Sequence, residues 1–312
     1  MFKKRIVAGA LSFAALAVSF SVSAASKAEQ ELVDYLTSIG MKDSVSWERI
    51  TGNSLSDATL YGVTYISDKG TEDEKKYLIK QVDFDDYTLT DDKASVAVKY
   101  KGATDEDGAH VFLSEKLQPQ SHFRGLGYEQ LDDLEVKLSY VMKKTAGALE
   151  GKVEVDQSDV LEASFDFKTE GLDMLIGQLA SLDVATLDPN LIMLSAMATK
   201  IHKLNLTLED DGYNKRLLAH KPDHQAEVEG QYQGCMSSVG EFGLQELEQG
   251  CAAIRDYLLN KEDKLRIAIN PEKPFSVGEY MPMFMLVGSA GPEAAGSLVK
   301  RILNEINLKI SN

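Results

Sequence analysis

Beyond its first 25 residues, this 312-residue chain has no apolar run approaching the roughly 20 residues that a membrane-spanning helix needs, so no internal span is expected. Basic side chains are in short supply: 33 Lys and Arg stand against 49 Asp and Glu. A chain this acidic is repelled by phosphate backbones and anionic headgroups. That argues against nucleic acid as a partner and against electrostatic docking on a membrane. Solubility is the plain reading of the charge, and a cationic partner is the sharper one. Only two cysteines occur, Cys235 and Cys251, with no C-x-x-C pair, so dithiol redox chemistry is not expected. The nucleophile elbow G-x-S-x-G and the phosphate loop G-x-x-x-x-G-K are both missing.

What the chain does have begins at its start. Lys3, Lys4 and Arg5 precede an almost wholly apolar run, Ile6–Phe20, and Val22-Ser23-Ala24 supplies the small residues of a signal-peptidase site. Residues 1–24 therefore read as a secretory signal of bacterial type, cut after Ala24 or Ala25, which places the mature chain in the periplasm. An uncleaved inner-membrane anchor is the alternative. No Cys follows the cut, so a lipoprotein tether is not expected, and no stable membrane insertion is expected after cleavage. Removing three basic residues takes Lys and Arg from 33 to 30 against 49 acids, a net charge of −19.

Cys235 and Cys251 lie 16 apart, and an even cysteine count outside the cytoplasm favours a disulfide. Both sit on apolar helical stripes. One runs through Val228, Tyr232, Met236 and Val239, and the other through Leu244, Leu247, Ile254 and Leu258, so the bond would lock a helical hairpin turning near Gly240–Gly243.

Ser26 and Glu29 form a capping box for a first helix with Leu32, Tyr35, Leu36 and Ile39 on one face, ended by Gly40. From about Val45 to Lys168 the apolar period becomes two. Leu55–Ser67, Lys76–Phe84 and Ala94–Tyr100 read as strands. Val136, Leu138, Tyr140 and Met142, then Leu149, Val153 and Val155, then Leu161, Ala163, Phe165 and Phe167 alternate with polar residues. Leu172–Leu182 and the stretch after Asp188-Pro189 read as helices. Leu204–Leu208 and Leu265–Ile269 read as strands, Pro292–Asn304 as a helix, and Ile306–Ile310 as a terminal strand. The expected fold is α+β: a large curved antiparallel meander with helices packed on its apolar face. It divides into a signal (1–24), a helix-plus-meander half (25–170) and a mixed half (171–312), with a boundary near Gly171 unless one sheet runs through both.

Candidate chemistry is thin. Among His110, His122, His202, His220 and His224, only the last two are close, and Pro222 between them breaks the helix that a paired metal site would need. Asp105-Glu106-Asp107-Gly108 and Asp83–Asp92 lack the spacing of a calcium loop and read as solvated turns. Ser297-Leu298-Val299-Lys300 matches S-x-x-K without its companion motifs. Asn205-Leu206-Thr207, a glycosylation sequon, falls in an expected strand. No catalytic residue, cofactor or metal ligand is assigned. Met281, Met283, Phe284 and Met285 around Pro282, with Met193 and Met197 one helical turn apart, read either as ordinary core or as a groove for an acyl chain or apolar peptide.

Three segments carry a resemblance: Asp57–Ile66 with Leu78–Phe84, Leu126–Leu131 leading into the strands to Lys168, and Leu204–Gly212 with Leu265–Pro271. In these the chain resembles proteobacterial envelope proteins of the YdgA-like and AsmA-like kind. The resemblance implies a long curved β-sheet with an apolar inner face and, for the AsmA-like proteins, an association with lipid movement between membranes. It carries no functional residue across. The expected function is a non-enzymatic periplasmic protein that binds a lipid-like ligand or an envelope partner. The alternatives are a purely structural scaffold and a hydrolase whose site is assembled from distant residues.

Overall fold

The computed structural model describes residues 26–38, 40–119, 121–172, 194–195, 197–276, 278–280, 283 and 292–312. The first helix, α1 (Lys27–Ser38), starts at the expected cap, where the Glu29 amide donates to Ser26 Oγ at 3.2 Å, and Gly40 follows it at φ +70°. Its buried stripe is Ala28, Leu32 and Leu36.

Twelve strands form one sheet: β1 (Val45–Ser46), β2 (Arg49–Thr51), β3 (Thr59–Ser67), β4 (Lys75–Leu89), β5 (Lys93–Thr104), β6 (Glu135–Lys143), β7 (Ala148–Gln157), β8 (Leu161–Glu170), β9 (Lys200–Asp210), β10 (Lys264–Ile269), β11 (Phe275–Ser276) and β12 (Leu308–Ser311). The order is β1-β3-β4-β5-β6-β7-β8-β9-β10-β12, with β2 on β3 and β11 on β9, and the pairings are antiparallel. The fold is α+β on a large open antiparallel sheet, and the sheet continues across position 171. Among the described residues its helices include α1, α2 (Tyr213–His220), α3 (His224–Phe242), α4 (Glu248–Leu258) and α5 (Pro292–Ile306).

Register explains the core. Because side chains alternate along each strand, one row joins Leu60, Val82, Tyr100, Val136, Val155, Ala163, Leu208 and Leu265 across eight strands. The next joins Phe84, Val98, Leu138, Val153, Phe165, Leu206, Ile267 and Ile310. Helices cover this apolar face at both ends. Leu32 and Leu36 of α1 pack with Leu60, Val63, Ile79 and Val98, while Ala253 and Tyr257 of α4 pack with Leu208, Leu265 and Ile310. Between them β6–β8 are only half-covered, and Phe165 remains 37% exposed. The opposite face carries charge pairs such as Lys99–Glu135 (2.7 Å) and Lys168–Glu150 (3.1 Å).

Several expectations need correction. The stretch from Leu55 opens with a 3₁₀ turn (Leu55–Asp57) before β3, because Asp57 accepts the Ser54 amide at 2.8 Å and closes a local turn. Asp83–Asp92 is largely strand: Asp83 accepts Thr59 Oγ1 at 2.8 Å and Asp86 accepts Ser95 Oγ at 2.8 Å, so both carboxylates are spent on neighbouring strands. The hairpin turn begins at Gly243, in left-handed conformation at φ +66°, whereas Gly240 is inside α3. Leu247 belongs to a 3₁₀ stretch before α4 (Gln245–Leu247), and Leu244 is its cap. The disulfide joins α3 to α4 as expected, Cys235 to Cys251, with Cα atoms 6.1 Å apart. The helices expected at Leu172–Leu182 and from Asp188 fall outside the described residues, apart from Leu172 and the end of the second stretch, as does the signal segment.

Candidate functional site

An apolar opening lies where α1 rests on the sheet. It holds about 320 Å³, near the lower end of ligand-sized pockets and about twice an engineered apolar cavity of 150 Å³ that takes up benzene. Leu32, Leu36 and Met41 form one wall. The floor runs from Leu60, Val63 and Ile79 through Val96, Val98 and Leu138 to Met142, Leu149 and Phe167. Leu32, Leu36 and the near floor are almost fully buried, whereas Met41, Leu138, Met142, Leu149 and Phe167 are half-buried, and the four on the sheet make the groove open toward β6–β8. There Phe167 stacks on Phe165 at 5.5 Å.

Its polar groups are phenol hydroxyls. Tyr35 from α1, Tyr65 from β3, Tyr100 from β5 and Tyr140 from β6 line the groove, and Tyr87 of β4 meets Tyr35 edge-on at 5.6 Å. The Tyr35 and Tyr140 hydroxyls pair with each other, tying the helix to the sheet. Burial pushes the Tyr35, Tyr100 and Tyr140 hydroxyls above the ordinary tyrosine value, and neighbouring tyrosines add to the first two. Burial also pushes Tyr87 up to about 12, and the nearby carboxylates Glu31 and Asp34 contribute. All four hydroxyls therefore stay neutral at ordinary pH. No charged side chain stands among the described residues lining the groove.

Of the methionine group singled out from sequence, Met281, Phe284 and Met285 lie outside the described residues, as does Met193. Met283 and Met197 are half-buried, and neither lines this groove. The groove draws instead on Met142, which the alternation already places in the apolar row of a strand, and on Met41, which no sequence signal singles out.

The five histidines are dispersed. His110 is buried and accepts the Phe112 amide at Nδ1 (3.2 Å), with burial pulling its pKa down. His122 Nε2 lies 2.6 Å from the Tyr213 hydroxyl, and His202 Nε2 lies 3.0 Å from Glu170. His220 ends α2 and contacts the Arg216 carbonyl, while His224 begins α3 and contacts the Leu258 carbonyl. Among the described residues no three metal-ligating side chains converge. Ser297 and Lys300 are both exposed on α5, and Lys300 faces Glu246 at 3.6 Å. Asp105 is a turn anchor. Burial works to raise its pKa, but the Ser114 hydroxyl and the Ala109 and Asp107 amides, all bonded to its carboxylate, hold it below the usual range.

The architecture defines an open-sheet protein with a helix-capped apolar groove. A family model described as "Uncharacterized protein" matches residues 154–311, 158 of the 312 residues, and the chain belongs to that family. The match covers β8–β12 and only the end of β7, from Glu154 to Gln157, whereas α1 and the strands it covers, β3–β5, precede it. No curated protein matches the chain.

Proposed function

We propose that this is a non-enzymatic periplasmic protein of the cell envelope that holds an apolar, lipid-like ligand between α1 and the sheet. The observation that carries the reading is the groove of about 320 Å³, lined by aliphatic and aromatic side chains and half-open along β6–β8. Apolar concavities of this size with a few convergent polar groups are the usual form of a small-molecule site. The signal-like residues 1–24 and the disulfide are compatible with an oxidising compartment outside the cytoplasm. Organic extraction of the purified protein followed by mass spectrometry is expected to release a stoichiometric apolar molecule. A delipidated protein that takes up no apolar fluorescent probe would overturn the reading.

A second reading, an apolar partner protein docking on the sheet, draws on the stacked pair Phe165 and Phe167 at the open end. Cross-linking from a photoreactive residue at position 165 separates the two: a protein adduct favours the partner, a lipid adduct the ligand.

A further inference from the structure

We infer that the groove selects an uncharged single-chain lipid, of the monoacylglycerol class, over a fatty-acid anion or an anionic phospholipid. The inference rests on the reading of the groove as a ligand site and specifies its substrate class.

The first observation is the kind of polar group available. Tyr35 and Tyr140 present hydroxyls inside an otherwise apolar wall, joined to each other by one hydrogen bond. Such hydroxyls exchange hydrogen bonds with an ester carbonyl or an alcohol, each of which needs one or two partners. A carboxylate needs more: leaving water without a cation or several donors costs several kcal/mol. No Lys or Arg stands among the described residues lining the groove. Lys99 lies between the lining residues Val98 and Tyr100, and Lys137, Lys143 and Lys168 each adjoin one, but strand alternation turns all four to the opposite face of the sheet. Lys42, next to Met41, is exposed.

The second observation is the surrounding field. Glu31 and Asp34 flank Tyr87 on the helix side of the groove. Glu31 is fixed there by the Leu55 amide at 2.8 Å. The same surroundings that disfavour a phenolate on Tyr35 and Tyr87 disfavour a lipid anion. A headgroup drawn inward meets hydroxyls without a counter-charge, and one left outside on the helix side meets carboxylates. The third observation is size: about 320 Å³ is small for a ligand pocket and suits one chain better than two.

The test uses the delipidated full chain and two soluble ten-carbon probes, 1-monodecanoylglycerol and decanoate, at pH 8. Trp47, the one tryptophan, packs against the core beneath the groove and supplies the fluorescence signal, with native mass spectrometry as a second readout. The glyceride is expected to bind at least tenfold more tightly than decanoate. Tyr140→Phe is expected to weaken glyceride binding about fivefold while leaving decanoate unchanged. Met142→Trp, which fills the open end, is expected to abolish binding by mass spectrometry. Equal or tighter binding of decanoate overturns the selectivity and leaves the groove intact as a ligand site. Binding of neither probe, or full binding by Met142→Trp, overturns both.

Discussion

Phe167 of β8 lies across Gly151 of β7: a Cβ on Gly151 would stand 2.8 Å from Phe167 Cζ and 3.1 Å from the Ser139 carbonyl oxygen. With no side chain at 151, the phenyl ring passes over β7 and becomes part of the groove floor beside Met142 and Leu149. Gly151→Ala is therefore expected to destabilise by about 1–3 kcal/mol through overpacking, although Gly→Ala at an unstrained site stabilises by about 0.4–1 kcal/mol. Adding Phe167→Leu is expected to recover part of the loss. Urea denaturation of the two single variants and the double variant measures this coupling, and additive losses would refute the contact.

Leu36 is 1% exposed at the centre of the α1 contact, and Lys27, on the same helix, makes only an exposed 3.5 Å pair with Glu31. Leu36→Ala is expected to cost about 2–5 kcal/mol through lost burial and a residual cavity. Lys27→Ala is expected to stay within about 0.5 kcal/mol. Denaturation midpoints compare the two, and a similar loss for both would show that α1 is not held by its apolar stripe.

Alkali should loosen the groove before acid does. Tyr35, Tyr87, Tyr100 and Tyr140 all have folded-state pKa values raised above 10, Tyr87 to about 12. A raised folded pKa contributes stability that is complete below the unfolded value of about 10 and is lost as pH climbs toward the folded value. Stability is thus expected to fall steadily above pH 10, and ultraviolet titration should show a class of tyrosines ionising only as the protein unfolds. Tyr35→Phe, which removes the hydroxyl paired with Tyr140, is expected to cost about 0.5–1.5 kcal/mol at neutral pH and to flatten this alkaline limb. Smooth titration of all tyrosines near pH 10 in the folded protein would contradict the burial argument.

The disulfide closes a 16-residue separation between α3 and α4. Replacing both cysteines by Ala is expected to lower stability by about 3 kcal/mol in the chain-entropy description. Because α4 covers the β9–β10–β12 end of the sheet and α1 the other end, ligand affinity at the groove should hardly change. Thermal unfolding with and without reductant, paired with probe binding, checks both parts.

Much of this architecture is local in origin, which is why it is legible in the chain. Alternation at Val136–Met142, Leu149–Val155 and Leu161–Phe167 fixes which face of each strand is apolar, and short turns fix the neighbours. The capping box at Ser26 and the breaker Pro222 act within a few residues, as does the pairing of two cysteines on adjacent helical stripes. Where the reading failed, the determinant lay on another element. Helix α2 has Gly212 at its cap position and draws its N-terminal hydrogen bond from Asp210 at the end of β9, which accepts the Asn214 amide at 2.9 Å. The acidic run at Asp83–Asp92 extends β4 because its carboxylates find partners on neighbouring strands.

The groove belongs wholly to that second kind. By itself the sequence determined a large antiparallel sheet with one apolar face, an amphipathic first helix and a stapled helical pair, since each follows from periodicity and short-range hydrogen bonding. Only the tertiary structure decided that α1 lies over β3–β5, reaches β6 through Tyr35 and Tyr140, and leaves β7 and β8 half-covered. Residues as far apart as Leu32, Met142 and Phe167 thereby come to share one cavity, and hydroxyls from four separate elements gather inside it. The physical reason is that apolar burial is non-directional. Periodicity tells each element which face to hide, but where two hidden faces fail to fill the space between them depends on how the whole assembly packs.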